Sequence, residues 1–197
     1  MSSFFKPETS ALVLIDYQVG TLQICKTTPS DVALRNAVTL AKAANAFGMP
    51  VVMTASMEDD VQGATAEVLQ RVLPKAYKAR IKRVGVVNCW DDPAFKKAVA
   101  DTGRRQLVMA GITTDICLVF PAISAVGDGY EVQAVIDASG SPFEISEEMA
   151  RRRMAAAGVV LTATNTIVAE LVHDWTTKQG AELAPLLFAY APMVAAD

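Results

Sequence analysis

The feature that most constrains the fold of this chain is a regular alternation of short apolar runs with amphipathic segments of helical period. The apolar runs are residues 11–15, 51–54, 107–110, 131–136 and 159–163, and residues 84–88 form a further strand or an extended loop. The amphipathic segments are residues 31–47, 64–72, 93–102, 146–157 and 164–173, together with the stretch after Asp115. Strands and helices that alternate in this way are joined by right-handed crossovers. We therefore predict an α/β fold with a parallel sheet between two helical layers.

Composition limits the classes of protein to which the chain can belong. It has 197 residues, 52% of them hydrophobic and 20% charged, which favours one domain over residues 1–197. We expect its core at residues 11–175 and a C-terminal helix and tail at 176–197. The net charge of −3 leaves no basic face, which argues against a nucleic-acid partner. The high apolar content favours a homo-oligomer.

The sequence also limits location and cofactors. No apolar run approaches the ~18 residues of a membrane span, and the N-terminus lacks the pattern of a signal peptide. We therefore expect a cytoplasmic protein that has no membrane partner. Three cysteines without a close pair do not suggest disulfides, and Cys25 and Cys89 are predicted to be packing residues. The single histidine, His173, supplies too few nitrogen ligands for zinc or iron, so we predict no metal and no other cofactor.

The stretch QLVMAGITTDICLVF at residues 106–120 reads as a buried strand, a short turn and a helix that contains Cys117 near its start. A thiol in the first turn of a helix faces unpaired backbone N–H groups and the positive end of the helix dipole, both of which favour a thiolate. Cys117 is therefore a candidate nucleophile. The alternative is a buried structural cysteine, which the usual burial of free cysteines favours.

Asp16 directly follows the apolar run at residues 11–15, at the end of a strand that faces the ligand crevice in open parallel sheets. Together with the neighbouring Gln18 it forms a second candidate site. The alternative is a loop acid that caps the next turn.

Three separated motifs carry a resemblance. They are LVLIDYQ at residues 12–18, VNCWDDPAF after a basic residue, and AGITTDICLVFPAISAVGDGYEVQAVIDASG at residues 110–140. In this order they resemble the isochorismatase-like cysteine hydrolase superfamily, and within it the YcaC-related hydrolases. The resemblance implies a Rossmann-like three-layer α/β/α sandwich with a six-stranded parallel sheet. It also implies a homo-oligomer, with an octamer as one form.

The same resemblance implies a catalytic triad in which Asp16 is the acid and Cys117 the nucleophile. The third position is usually lysine in the superfamily, and here it is Arg83, with Lys82 on the opposite face of the extended segment. Arginine stabilises a thiolate but, unlike lysine, does not give up a proton. The backbone N–H groups of Thr113 and Cys117 would hold the oxyanion. A cis peptide is expected between Ile112 and Thr113.

Three further residues are candidates for binding a small-molecule substrate: Gln18, Asn88 and Trp90. For Trp90 a core or interface role is the alternative that aromatic packing favours. Nicotinamidases of the superfamily bind a metal through histidines after the second strand. The corresponding stretch, TASMEDD, has no histidine, which argues against a metal and against nicotinamidase activity.

These residues favour a cysteine-dependent hydrolase that cleaves the C–N bond of a small amide or related compound through a thioester. Two alternatives remain open. An isochorismatase-type vinyl-ether hydrolase does not use a cysteine nucleophile, so Cys117 counts against it. A redox-sensitive thiol or an oligomeric binding protein would use the same fold without hydrolysis.

Overall fold

The computed structural model describes residues 4–188 of the chain. Within them, six strands form one sheet: β1 (Ser10–Ile15), β2 (Val51–Ser56), β3 (Ile81–Arg83), β4 (Gln106–Gly111), β5 (Glu131–Val135) and β6 (Val160–Thr162). All pair in parallel, in the order β3-β2-β1-β4-β5-β6. The predicted six-stranded parallel sheet is therefore confirmed. Residues 1–3 and 189–197 of the predicted domain lie outside the described residues, so its bounds stay a prediction.

The two central strands divide the apolar core into two layers. Successive side chains of a strand point to opposite faces of a sheet. In β1, Leu12 and Leu14 pack on one face, while Val13 and Ile15 pack on the other. Every residue of β1 and β4 is buried, which explains why both strands are almost continuously apolar.

Nine α-helices lie within the described range: α1 (Val19–Ile24), α2 (Ser30–Phe47), α3 (Glu67–Val72), α4 (Pro74–Lys78), α5 (Pro93–Asp101), α6 (Val119–Gly127), α7 (Glu144–Ala156), α8 (Thr164–Val172) and α9 (Lys178–Phe188). Helices α2, α8 and α9 contribute to the core on the first face of the sheet. Helices α5, α6 and α7 cover the second face. The arrangement is the predicted three-layer sandwich.

Of the two alternatives for residues 84–88, a strand or an extended loop, the structure has the loop, and the third strand lies before it. Residues 84–88 are not a strand; β3 ends at Arg83, whose partner in β2 is Ser56. The valines of this segment have a high β propensity, but Val84 is 95% exposed and Gly85 has a φ of +130°. The segment therefore leaves the sheet as a loop. Strand β3 lies at Ile81–Arg83, before the apolar residues 84–88. The hydrophobic pattern did not reveal it because two of its residues, Lys82 and Arg83, are basic.

Several helix boundaries also differ from the prediction. Helix α3 begins at Glu67 rather than residue 64, and Pro74 starts the short helix α4 instead of only ending the preceding one. A proline is well accommodated at the first position of a helix, where its missing N–H has no intrahelical partner. Helix α1 was not predicted. Helix α7 begins two residues before the expected residue 146.

Candidate active site

The strand order brings three loops together at the carboxyl edge of the sheet. Asp16 follows β1, and the segment that contains Cys117 follows the neighbouring strand β4. Arg83 ends β3, which is separated from β1 by β2. Its side chain spans this strand: Nε donates to Thr54 Oγ1 at 3.0 Å, and Nη2 binds Asp16 Oδ2. The predicted acid, cation and nucleophile are therefore brought to one place.

Asp16 is completely buried and has a positive φ of 57°. Its N–H donates to Thr54 O at 3.0 Å, and its carbonyl oxygen accepts from Gln18 N at 2.8 Å and from Thr21 Oγ1 at 2.6 Å. Of the two carboxylate oxygens, Oδ2 binds Arg83, while Oδ1 has no hydrogen-bond partner of regular geometry in the described part of the chain. One oxygen of a rigidly held carboxylate is thus free to accept a proton.

Arg83 is held from three sides by acceptors on neighbouring segments. Besides Thr54 and Asp16, its Nη1 donates to the carbonyl oxygens of Val86 and Val87. Its side chain is only 1% exposed. The guanidinium group is therefore a fixed positive charge whose donors are mostly used within the protein.

Cys117 lies in a π-helical turn, Thr114–Leu118, that leads into α6. The predicted first helical turn is thus wider than an α-helical one, and such turns are frequent at functional sites. The Thr113 N–H lies close enough to the Cys117 sulfur to lower the pKa of the thiol. The Ile112–Thr113 peptide is cis, as the resemblance implied.

Residues Ser139, Gly140 and Ser141, which follow β5, hold the segment that precedes the thiol. Ser139 Oγ accepts from Gly111 N at 3.1 Å, Gly140 O accepts from Thr114 N at 2.9 Å, and Ser141 Oγ accepts from Asp115 N at 3.2 Å. Three consecutive residues therefore fix the backbone of the turn that carries Cys117.

The thiol and the acid both have raised pKa values. Burial raises the pKa of Cys117 most, and the charge of Asp16 raises it further; the Thr113 N–H and Arg83 act in the opposite direction. Burial likewise raises the pKa of Asp16, although the charge and the hydrogen bond of Arg83 and a contact with the Cys117 thiol act in the opposite direction. The helix start and Arg83 favour a thiolate, as the sequence indicated, but burial and Asp16 outweigh them and raise the pKa of the thiol. Cys117 rests as a thiol beside an acid that can take its proton.

The predicted substrate-binding residues are placed differently from one another. The buried Gln18 amide binds Ser56 N, Ser56 O and Gly63 O, and so ties the start of α1 to the end of β2. Trp90 is 4% exposed, and its Nε1 donates to Asp128 at 2.8 Å. Its ring meets Phe95 and Tyr130 edge-on, which favours the packing role.

Asn88 has a more open position. Its Nδ2 donates to Ser124 Oγ at 3.1 Å, and it borders a surface pocket of about 390 Å³ whose lining includes Phe120 and Arg153. Phe120 and Ser124 belong to α6, the helix that continues from the π-helical turn of Cys117. Of the three candidates, Asn88 alone lines this pocket.

Several groups that shape the site were not predicted from the sequence. The carbonyl oxygens of Val86 and Val87 hold Arg83, and backbone acceptors leave no mark in a sequence. Thr54 and the anchoring segment 139–141 were also missed as site residues. The quoted motif that ends in DASG contains part of that segment, and its small polar residues were the available signal.

Residues 4–188 contain neither a cluster of metal-binding side chains nor a helix suited to span a membrane. No group of three or more His, Cys, Asp or Glu side chains lies close enough together to bind a metal ion. No helix in that range combines the length and the apolar character that a membrane span requires.

Comparison with known proteins gives consistent similarities. The model of the isochorismatase domain matches residues 10–166. The probable hydrolase YcaC of Escherichia coli is 36% identical over 166 residues, which cover 84% of this chain and 79% of that protein.

Two solved structures are similar over almost the whole chain. YcaC from Pseudomonas aeruginosa, described with hexane-2,5-diol and covalent acrylamide, is 33% identical and superimposes with a TM-score of 0.90 over 98% of this chain and 94% of that one. The Escherichia coli YcaC structure, described as an octameric hydrolase of unknown specificity, is 33% identical and has a TM-score of 0.89 over 96% and 91%.

Proposed function

The chain belongs to the isochorismatase family, and from this premise we propose that it is a cysteine-dependent hydrolase of a small amide or related C–N compound. The proposal rests on the hydrogen bonds and the raised pKa of Asp16. Its Oδ2 is bound by Arg83, its Oδ1 has no hydrogen-bond partner of regular geometry within residues 4–188, and burial raises its pKa beside a thiol whose pKa is also raised. A buried carboxylate with a raised pKa and a free oxygen is suited to accept a proton and return it.

In the proposed first step, the Cys117 sulfur bonds to the carbonyl carbon of the substrate while Asp16 Oδ1 takes the thiol proton. The carbonyl π electrons move to oxygen, and the N–H groups of Thr113 and Cys117 stabilise the oxyanion that forms. The contact between the Thr113 N–H and the thiol supports this role, because it brings that donor close to the reacting atoms.

In the second step, the C–N bond breaks and Asp16 returns its proton to the leaving nitrogen, which leaves a thioester on Cys117. A water molecule then attacks the thioester carbon while Asp16 accepts its proton, and this proton returns to sulfur when the C–S bond breaks. Arg83 donates no proton in either step. Its fixed charge compensates the one negative charge that Asp16 and Cys117 share, which supports arginine as a replacement for the usual lysine.

A sensor role for Cys117 is less well supported. Oxidation follows thiolate character and exposure, whereas the Cys117 pKa is raised by burial and by Asp16. A homo-oligomer remains part of the proposal because the Escherichia coli relative is octameric. Exposed apolar side chains at the same edge of the sheet, such as Val61, Val84 and Phe143, also support it.

The decisive experiment is mass spectrometry of the intact protein after brief exposure to small amides, nitriles and activated esters, with acrylamide as a positive probe. We expect a covalent adduct on the wild-type protein and on Cys25→Ala, and none on Cys117→Ala. The mass added by an acylating compound then identifies the acyl group that the site accepts. Equal labelling of Cys117→Ala and the wild type, or no labelling of either by any compound, would contradict the covalent mechanism.

A further inference from the structure

Glu147 is a buried carboxyl group that the proposed mechanism does not use. It lies in the first turn of α7 and is only 6% exposed. Within residues 4–188 it forms no ion pair with Lys or Arg. An isolated buried carboxyl group is costly unless hydrogen bonds satisfy it, so its partners indicate what it does.

The partners of Glu147 are two hydroxyl groups. Ser141 Oγ donates to Glu147 Oε2 at 2.7 Å, and Thr27 Oγ1 donates to the same oxygen at 3.4 Å. A hydroxyl has a single hydrogen, so a bond to the carboxyl group leaves only lone pairs for its other neighbours. Glu147 thereby makes both hydroxyls acceptors in every other contact.

Both hydroxyls use these lone pairs for backbone N–H groups. Ser141 Oγ accepts from Asp115 N at 3.2 Å, inside the turn that contains Cys117. Thr27 Oγ1 accepts from Ser141 N at 2.8 Å, and Ser141 O in turn accepts from Lys26 N at 2.9 Å. Glu147 is thus the fixed end of a hydrogen-bond chain that runs through Ser141 to the turn of the nucleophile.

We propose that Glu147 is a positioning residue for Cys117, which acts through Ser141 and the Asp115 N–H to hold the backbone of the Thr114–Leu118 turn that carries the sulfur. This inference deepens the proposed function, because it concerns the same thiol. Hydrogen-bond partners behind a reactive group keep its geometry exact, and small displacements are costly in rate.

The test compares two replacements of Glu147 by their effect on the alkylation of Cys117 with iodoacetamide, followed by peptide mass spectrometry. Glu147→Leu removes the acceptor, and we expect about a tenfold slower alkylation at a fixed pH because the turn no longer holds the sulfur in its reactive position. Glu147→Gln removes the charge but keeps an acceptor oxygen, and we expect its rate within about threefold of the wild type. Glu148→Gln, at the exposed neighbouring position, is the matched control and should leave the rate unchanged.

The outcomes separate positioning from a charge effect. If Glu147 acted through its negative charge alone, Gln and Leu would alter the rate equally and in the direction of faster alkylation, and the proposal would be wrong. Should Glu147→Leu fail to fold, Ser141→Ala replaces it, with the same slowing expected and an unchanged rate as the contrary result. Alkylation needs no substrate, so a failure of the amide panel with a preserved Gln/Leu difference would remove the proposed function and leave this inference intact.

Discussion

Two arginines three residues apart, Arg80 and Arg83, each bind an acid that follows another strand of the sheet, Glu58 after β2 and Asp16 after β1, but the two pairs differ in how completely the acid is bound. Arg80 contacts both oxygens of Glu58 through Nε and Nη2 at 2.8–3.2 Å, and Lys82 adds a further contact at 3.2 Å. Arg83 binds only one oxygen of Asp16.

The pKa values of the two acids shift in opposite directions. For both, burial raises the pKa. At Glu58 the hydrogen bonds and charges of Arg80 and Lys82 together outweigh burial, so its pKa is lowered; at Asp16 burial prevails over Arg83, so its pKa is raised. A fully bound carboxylate is a structural anion, whereas a half-bound and completely buried one can exchange a proton.

The largest expected effect is on turnover. Asp16→Asn should lower the rate of acylation by about 10³-fold or more, because the amide cannot accept the thiol proton. Glu58→Gln is the matched control, and its rate should remain within about threefold of the wild type because that acid performs no proton transfer. Both rates are measured with the compound that acylates Cys117 most readily. Equal losses of the acylation rate in the two variants would show that Asp16 and Glu58 do not differ in function.

The next effect is on stability. Arg83→Met leaves the completely buried Asp16 without its cation, and we expect a loss of about 3–5 kcal/mol in the free energy of unfolding. Arg80→Met leaves Glu58 with Lys82 and some access to water, so a loss of roughly 1–2 kcal/mol is expected. Urea denaturation near neutral pH measures both values. A larger loss for Arg80→Met would show that we have ranked the two pairs incorrectly.

The opposite pKa shifts predict opposite pH dependences of stability. The folded state binds the Asp16 proton more tightly than the unfolded state, so the contribution of Asp16 falls as the pH rises above the ordinary value of 3.8. Glu58 has a lowered pKa, so its contribution is complete above 4.5 and is lost as the pH falls through its folded-state pKa.

These signs can be measured by urea denaturation of the wild type, Asp16→Asn and Glu58→Gln from about pH 3 to about pH 7. The stability difference between the wild type and Asp16→Asn should decrease with rising pH, and the difference for Glu58→Gln should increase, each by at most about 1.4 kcal/mol per pH unit. Slopes of the same sign would contradict the assigned pKa directions.

The smallest effect is expected for an exposed ion pair, which serves as the reference for the Arg80–Glu58 and Arg83–Asp16 pairs. Arg71 and Glu67 pair at 2.9 Å one helical turn apart, with side chains that are 66% and 76% exposed. Arg71→Ala should change the free energy of unfolding by less than about 0.5 kcal/mol, because water and salt screen such pairs. The same urea experiment measures it. A loss comparable to that of Arg80→Met would mean that burial does not explain the ranking.

Much of the fold was predictable because the buried strands are almost continuously apolar and the helices amphipathic. The end of β3 was not, since Lys82 and Arg83 interrupt the apolar signal while the valines beyond them lie in a loop. Asp16 and Cys117 were identifiable from their positions at strand ends. Their protonation was not, because the balance of burial against Arg83 depends on groups that only the fold brings together.

In the loop after β3, the side chains can vary during evolution, whereas the positions of two backbone carbonyl groups cannot. The residues Val84, Val86 and Val87 are exposed by 95%, 43% and 57%, while the carbonyl oxygens of the last two hold the guanidinium group of Arg83. Substitutions can therefore change the surface that this loop offers and leave the cation in place. An insertion or deletion would move the two carbonyl oxygens that hold Arg83. The side chains of this segment can therefore change during evolution, whereas its length cannot.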